Sequence, residues 1–86
     1  MNPYEYIKVK INEEYVIGIY EGYNTKEEKI IYGIRITRED GEKVGLKFPE
    51  DIRSISKIFW FPKEEVEEIT IQEQKELNKH AKKNSY

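Results

Sequence analysis

The stretch from Glu14 to Asn24, EYVIGIYEGYN, constrains the fold more than any other part of the chain. Its side chains alternate in two sets: Val16, Gly18 and Tyr20 on one side, and Tyr15, Ile17 and Ile19 on the other. A period of two is typical of a half-buried strand, and a glycine inside such a strand marks a bend or a close backbone approach. With a second glycine at Gly22, the stretch predicts a strand that bends sharply as it leaves a hairpin.

The same alternation predicts strands on both sides of this one. Before it, Ile7, Val9 and Ile11 face inward, and Tyr4, Tyr6, Lys8 and Lys10 face outward. After it, a third strand over Ile30 to Arg38 places Ile30, Tyr32, Ile34 and Ile36 inward and Ile31, Gly33, Arg35 and Thr37 outward. Asp40-Gly41 then predicts a hairpin turn into a fourth strand, Lys43 to Phe48. A brief turn from Ile52 leads to a closing strand, so we expect a mainly β, five-stranded, strongly bent small barrel over residues 1–62.

Beyond Pro62 the composition changes. Glutamates come first and lysines last, which suits a helix dipole, so residues 63–86 are predicted to form a charged helical extension. Its apolar stripe is thin, with only Val66, Ile69 and Leu77, so the helix is expected to fray or to dock on a surface. The alternative for EVEEITI, Glu65 to Ile71, is one more strand.

Composition excludes several kinds of site. The 86 residues include no cysteine and one histidine, His80, which rules out a disulfide framework, a thiolate metal site and a histidine cluster. Neighbouring acids such as Glu27 and Glu28 fall in polar turns, where they are expected to be solvated charges. We therefore predict no enzyme activity, no cofactor and no metal site.

The remaining composition bears on location. No apolar run long enough to span a bilayer and no leader segment is seen, so a cytoplasmic protein without membrane contact is expected. Abundant Glu and Lys with few glutamines are typical of proteins from hot environments, and an AT-rich genome explains the abundance of Lys, Ile, Asn and Tyr equally well.

The run VKINEEYVIGIYEGYN, Val9 to Asn24, resembles the first conserved motif of the Sm and Sm-like proteins, a family of SH3-like small barrels. In that motif a hairpin leads through one glycine to a second glycine four residues on and then to an aromatic or aliphatic residue, here Gly18, Gly22 and Tyr23. The resemblance covers residues 4 to 62. It implies RNA binding and a ring in which the fourth strand of one subunit pairs with the fifth of the next. The residues that hold uridine in the family are not matched here.

The charges suggest a first functional hypothesis. A net charge of −2 argues against a chain that coats nucleic acid, so any such site must be local. Cations on strands beside aromatic rings can hold phosphates and stack on bases. The predicted face for RNA or single-stranded DNA consists of Tyr4, Tyr6, Lys8, Lys10, Arg35 and Lys47. The alternative is purely structural, because lysines protect sheet edges and tyrosine favours strands.

The run Phe59-Trp60-Phe61 suggests a second hypothesis. Neighbouring residues on a strand point to opposite sides, so at least one of these rings must lie outside the core. Either the C-terminal segment covers it, or it docks a protein partner or a second copy, as buried Trp and Phe residues often do at interfaces.

Overall fold

The computed structural model describes residues 2–51 and 55–84, with side chains to residue 79. Its strands are β1 (Tyr6–Ile11), β2 (Glu14–Lys26), β3 (Lys29–Thr37), β4 (Ser56–Pro62) and β5 (Val66–Glu68). Two helices, α1 (Arg38–Lys43) and α2 (Ile71–Asn84), and a 3₁₀ helix, Lys63–Glu65, complete the described chain. The strands form one antiparallel sheet in the order β4-β3-β2-β1-β5. The predicted mainly β class is confirmed, and the sheet is open, since no described pairing joins β4 to β5.

Two tight hairpins join the first three strands. Ile11 pairs with Glu14 around Asn12-Glu13, and both turn residues have positive φ, 49° and 68°. The loop between β2 and β3 repeats this geometry at Glu27 and Glu28, with φ of 52° and 66°. Positive φ at both central residues defines the type I′ turn, whose twist matches that of the strands it connects. These turns fix the register of β1, β2 and β3.

The core lies on one face of the sheet, as the alternation predicts. Its buried side chains are Ile7, Val9, Ile11, Val16, Tyr20, Ile34, Ile36, Val44 and Phe61. The inward placement of Ile30 is wrong, because this side chain is 41% exposed. Ile30 pairs with Thr25 near the end of the hairpin. The alternation of side chains continues to this point, but the buried core residues lie further along the strands.

The two glycines of β2 have separate roles. A Cβ on Gly18 would lie 2.6 Å from the Arg35 carbonyl oxygen and 2.7 Å from Ile34 Cγ2, so only glycine allows β3 to approach this closely. The β2–β3 register shifts between Tyr20 and Gly22, and Gly22 has a φ of 136°. Such a bulge bends its strand. The bulge before Gly22 accounts for the predicted bend of β2, and Gly18 marks the close approach to β3.

The predicted hairpin turn at Asp40-Gly41 and the predicted strand from Lys43 to Phe48 are wrong, because α1 occupies the start of this segment. Thr37 forms the N-cap, its Oγ1 accepting a hydrogen bond of 3.2 Å from the Asp40 N–H. Asp and Glu side chains near a helix N-terminus are also favoured by the helix dipole. These local interactions stabilise a helical turn where Asp-Gly alone suggested a hairpin.

The C-terminus of α1 explains why no strand follows at once. Gly45 has a φ of 86° and donates to the Glu42 carbonyl at 3.2 Å, while Leu46 donates to the Gly41 carbonyl at 3.0 Å. This is the Schellman arrangement, in which a left-handed glycine ends a helix. The Asn12 side chain adds a hydrogen bond of 2.7 Å to the Val44 carbonyl, which ties the first hairpin to this helix end.

The predicted closing strand is confirmed as β4, whereas the turn predicted from Ile52 falls partly outside the described residues. Both alternatives for the segment after Pro62 occur in succession. Val66–Glu68 forms β5, with Val66 opposite Val9, and helix α2 then begins at Ile71. The sheet therefore extends into the segment 63–86. No helix in the described ranges is both long and apolar enough to cross a bilayer.

Candidate functional site

The face of the sheet opposite the core, here called the outer face, carries most of the predicted binding residues. One row of paired residues crosses four strands: Tyr6, Ile19, Arg35 and Ile58. Lys8 and Lys10 share this face because they follow Tyr6 at a spacing of two along β1. Tyr4 is exposed just before β1. Lys47 is exposed but lies in the irregular segment after α1, outside the sheet, because the strand predicted to carry it does not form.

Lys8 is the most enclosed cation of the predicted set, with a side chain only 18% exposed. Its Nζ lies 3.3 Å from Glu73 Oε1 and 3.8 Å from Glu67 Oε2. The same ammonium lies 5.1 Å from the centroid of the Tyr15 ring. Two carboxylates and an aromatic ring thus surround this charge from within the chain. A phosphate reaching Lys8 would have to compete with them.

The other strand cations also have acidic partners. Lys10 Nζ lies 3.7 Å from Glu13 Oε2. Arg35 Nε donates to Glu21 Oε2 at 3.0 Å, and its Nη1 donates to Ser56 Oγ at 3.1 Å. The predicted nucleic-acid face is therefore largely neutralised by the chain's own carboxylates. RNA or single-stranded DNA binding stays a prediction.

Glu73 joins α2 to the outer face. Its carboxylate accepts a hydrogen bond of 2.8 Å from the Thr70 N–H, while the Glu73 N–H donates to Thr70 Oγ1 at 3.1 Å. This reciprocal pair is a capping box at the start of α2. The hydrogen bond from the Thr70 N–H holds the pKa of Glu73 below its ordinary value; burial opposes this effect, and the contact with Lys8 adds to the lowering. One carboxylate thus both caps α2 and fixes it against β1.

The three aromatic residues of β4 divide between the two faces. Phe61 is buried, and the Phe59 ring packs edge-on against Phe48 with centroids 5.3 Å apart. Trp60 lies on the outer face and is 51% exposed, which confirms that at least one ring lies outside the core. A Cβ on Gly33 would lie 3.1 Å from Trp60 Cη2 and Cζ3, so the indole rests directly on the glycine of β3.

The C-terminal segment covers the outer face only in part. Val66 packs against the core, and Leu77 of α2 borders a groove over β2. The groove has a volume of ≈ 370 Å³, and its apolar lining includes Ile17, Ile19 and Ile55 as well as Leu77. Ile55, just before β4, is 75% exposed. The cover leaves Trp60 of β4 half-exposed, outside the residues that line the groove.

The groove could not be predicted from the sequence, because it depends on the position of Leu77 of α2 over β2. The isoleucines at alternate positions of β2 were its only signal, since Ile17 and Ile19 fall on the side opposite the core. Within the part of the chain that the structure describes, no group of three or more acidic or histidine side chains could hold a metal ion.

Comparison of the chain with protein-family models, with curated proteins and with solved structures gives no significant match.

Proposed function

We propose that this chain is a protein-interaction subunit that docks a partner protein through the outer face beside β4. The docking surface, here called the Trp60 patch, consists of Ile55, Ile58 and Trp60 together with the adjoining groove. The observation that carries the proposal is the half-exposed Trp60, whose indole lies over Gly33. The partner is a protein that inserts an apolar side chain into the groove.

The position of Trp60 suits an interface anchor. Tryptophan is enriched among the residues that contribute most to protein interfaces. Its indole lies over Gly33 of β3, with Ile58 Cγ2 also close to this position, so one side of the ring is already in contact before a partner binds. Ordering a side chain in advance lowers the cost of association.

The charges near the patch favour a protein over a nucleic acid. Arg35, which lies opposite Ile58, is held by Glu21, and Lys8 is held by Glu67 and Glu73. Nucleic-acid affinity comes largely from cations that neutralise phosphates and release counterions. Cations already paired within the chain offer little of this energy, whereas the cores of protein interfaces are poor in free charge and rich in aromatic residues.

We also propose that the bent sheet is a small open barrel of the SH3-like class, related to the Sm-like proteins. Support comes from the strand order and from the 3₁₀ helix Lys63–Glu65, which contacts both β1 and β3. This helix carries the chain from β4 at one edge of the sheet to β5 at the other. Such a crossing would bring the two edges toward each other around the core.

Selection from a displayed library of random peptides tests the proposed docking. We expect the wild-type chain to enrich peptides that share an apolar residue. These peptides should not bind the Trp60→Ala variant. Tyr23→Ala is the matched control, because Tyr23 of β2 is also an exposed aromatic residue, at 68% against 51% for Trp60. Tyr23 pairs with Tyr32, which packs against the core, so it lies on the face opposite Trp60. Equal binding to Trp60→Ala and wild type, or failure to enrich any peptide, would contradict the proposal.

A further inference from the structure

The free edge of β4 has unpaired backbone groups at alternate residues. Arg38 donates to the Ile55 carbonyl at 2.9 Å, and Thr37 lies opposite Ser56 in the register. In an antiparallel pair, residues with groups facing the partner strand alternate with residues whose groups face away. Lys57, Phe59 and Phe61 therefore bond to β3, and the N–H and C=O groups of Ser56, Ile58 and Trp60 point to the open edge. Among the described residues, no strand pairs with this edge.

We infer that this edge of β4 pairs with the same edge of a second copy of the chain, antiparallel and with Ile58 on the two-fold axis. This register sets Ile58 against Ile58 of the second copy and Ser56 against Trp60 of the second copy. In each of these pairs the two residues exchange both backbone hydrogen bonds, since their groups face the open edge. The result is one continuous sheet that runs through both copies. This self-association is separate from the docking of a partner protein proposed above.

The edge is self-complementary in charge. Lys57 is the only charged residue of β4, and the two-fold register sets it opposite Phe59 of the second copy rather than opposite another lysine. Within its own chain Lys57 Nζ already lies 5.2 Å from the centroid of the Phe59 ring, so an ammonium beside this ring is favourable. Pro62, which has no N–H to donate, falls beyond the paired residues.

The other edge of the sheet is a poorer template for the same pairing. β5 has three residues, and two of them are Glu67 and Glu68. Two β5 strands paired with each other would bring these acids together, and short, charged edges resist such pairing. Because β4 is longer, apolar and singly charged, it is the edge that fits a second copy. Pairing there brings two Trp60 patches side by side on one face.

Sedimentation velocity of the full chain over a range of concentrations tests the inference, with Ser56→Pro and Ser56→Ala as a matched pair. Both variants lose the Ser56 Oγ contact with Arg35, but only proline removes the outward N–H. We expect a dimer for the wild type and for Ser56→Ala. We expect Ser56→Pro to raise the dissociation constant at least about tenfold, since the two-fold axis doubles each loss.

A second pair of variants covers the case in which Ser56→Pro does not fold. Ile58→Lys places two ammonium groups at the two-fold axis and is expected to give a monomer that associates again at high salt. Ile58→Cys introduces the only thiol of the chain and should oxidise to a covalent dimer, because paired residues there would have Cα atoms about 5.5 Å apart. Tyr23→Cys is the control, and it should form little covalent dimer because Tyr23 lies on β2, away from the paired edges.

A monomer at every concentration would overturn the inference, as would a ring-sized mass or a dimer insensitive to both Ser56→Pro and Ile58→Lys. Peptide binding by the Trp60 patch is measured separately on the wild-type chain, diluted below the dissociation constant of the dimer, because Ile58 belongs to the patch. If no dimer forms but peptides still bind in a Trp60-dependent way, the dimer is refuted and the proposed docking stands. If the dimer forms but no peptide binds, the docking is refuted and the dimer stands.

Discussion

Replacing Gly18 with alanine should destabilise the fold by about 2 kcal/mol. The new Cβ would lie 2.6 Å from the Arg35 carbonyl oxygen, which is 0.8 Å inside the 3.4 Å at which ordinary contact begins. Overpacking of this kind costs about 1–3 kcal/mol, and the upper half applies because a backbone carbonyl cannot rotate away. Alanine recovers roughly 0.5–1 kcal/mol of backbone entropy in the strand.

The measurement is urea unfolding followed by the fluorescence of Trp60, the only tryptophan in the chain. In a separate thermal melt, a loss of about 2 kcal/mol should lower the melting temperature by about 8–16 °C for a domain of this size. Gly33→Ala is the control: its Cβ meets the end of the Trp60 ring at 3.1 Å, and this half-exposed ring can shift outward. An unfolding midpoint for Gly18→Ala at or above that of wild type would refute the assigned close approach of β2 and β3.

Three further changes test other parts of the structure. Glu13→Gly should raise the free energy of unfolding by about 0.5–1 kcal/mol in urea melts, because glycine accepts the positive φ of the first turn. Asn12→Asp should lower it by about 1–3 kcal/mol, since the side chain loses the amide that donates to the end of α1. The pKa of Glu73 is lowered by the Thr70 N–H and by Lys8, so its stabilising effect is present above the carboxyl's unfolded-state pKa and is lost as the pH falls through the native pKa. Thermal melts at neutral and acidic pH should show a smaller pH dependence for Glu73→Gln than for wild type.

The strands around β2 could be predicted because their signals are local. The alternation of Ile7 and Val9 with Tyr6 and Lys8 is read directly from the sequence, and the structure buries the first pair and leaves the second on the outer face. Gly18 likewise indicated a bend or a close backbone approach, and the structure shows a close approach to β3. Period-two alternation does not say where the core ends, which is why Ile30 was misplaced.

Helix α1 was missed because Asp40-Gly41 was weighed without its neighbours. Thr37 three residues before Asp40 offers an N-cap, and Gly45 offers the left-handed residue that ends a helix. Ion pairs four residues apart, such as Arg38 Nε with Glu42 Oε1 at 3.3 Å, add to these signals. Together these local interactions favour a helix more strongly than the Asp40-Gly41 dipeptide favours a hairpin turn.

The neutralisation of the outer face could not be predicted, because it joins residues far apart in the chain. Lys8 contacts Glu73, which lies 65 residues further along the chain. This contact forms because β5 pairs with β1 and because the capping box orients the Glu73 carboxylate toward Lys8. Arg35 meets Glu21 through the bulge in β2. The sequence therefore showed which cations share a face, while their partners depend on tertiary structure.

The indole N–H resonance of Trp60 in a nitrogen-15 correlation spectrum reports directly on the proposed docking surface, because the chain contains a single tryptophan. Peptides selected on the wild-type chain and single-stranded RNA are added separately at low salt. We expect the peptide to shift this resonance and RNA to leave it unchanged. A salt-sensitive shift with RNA, with no response to any selected peptide, would contradict the proposed docking and return the function to the basic and aromatic residues of the outer face.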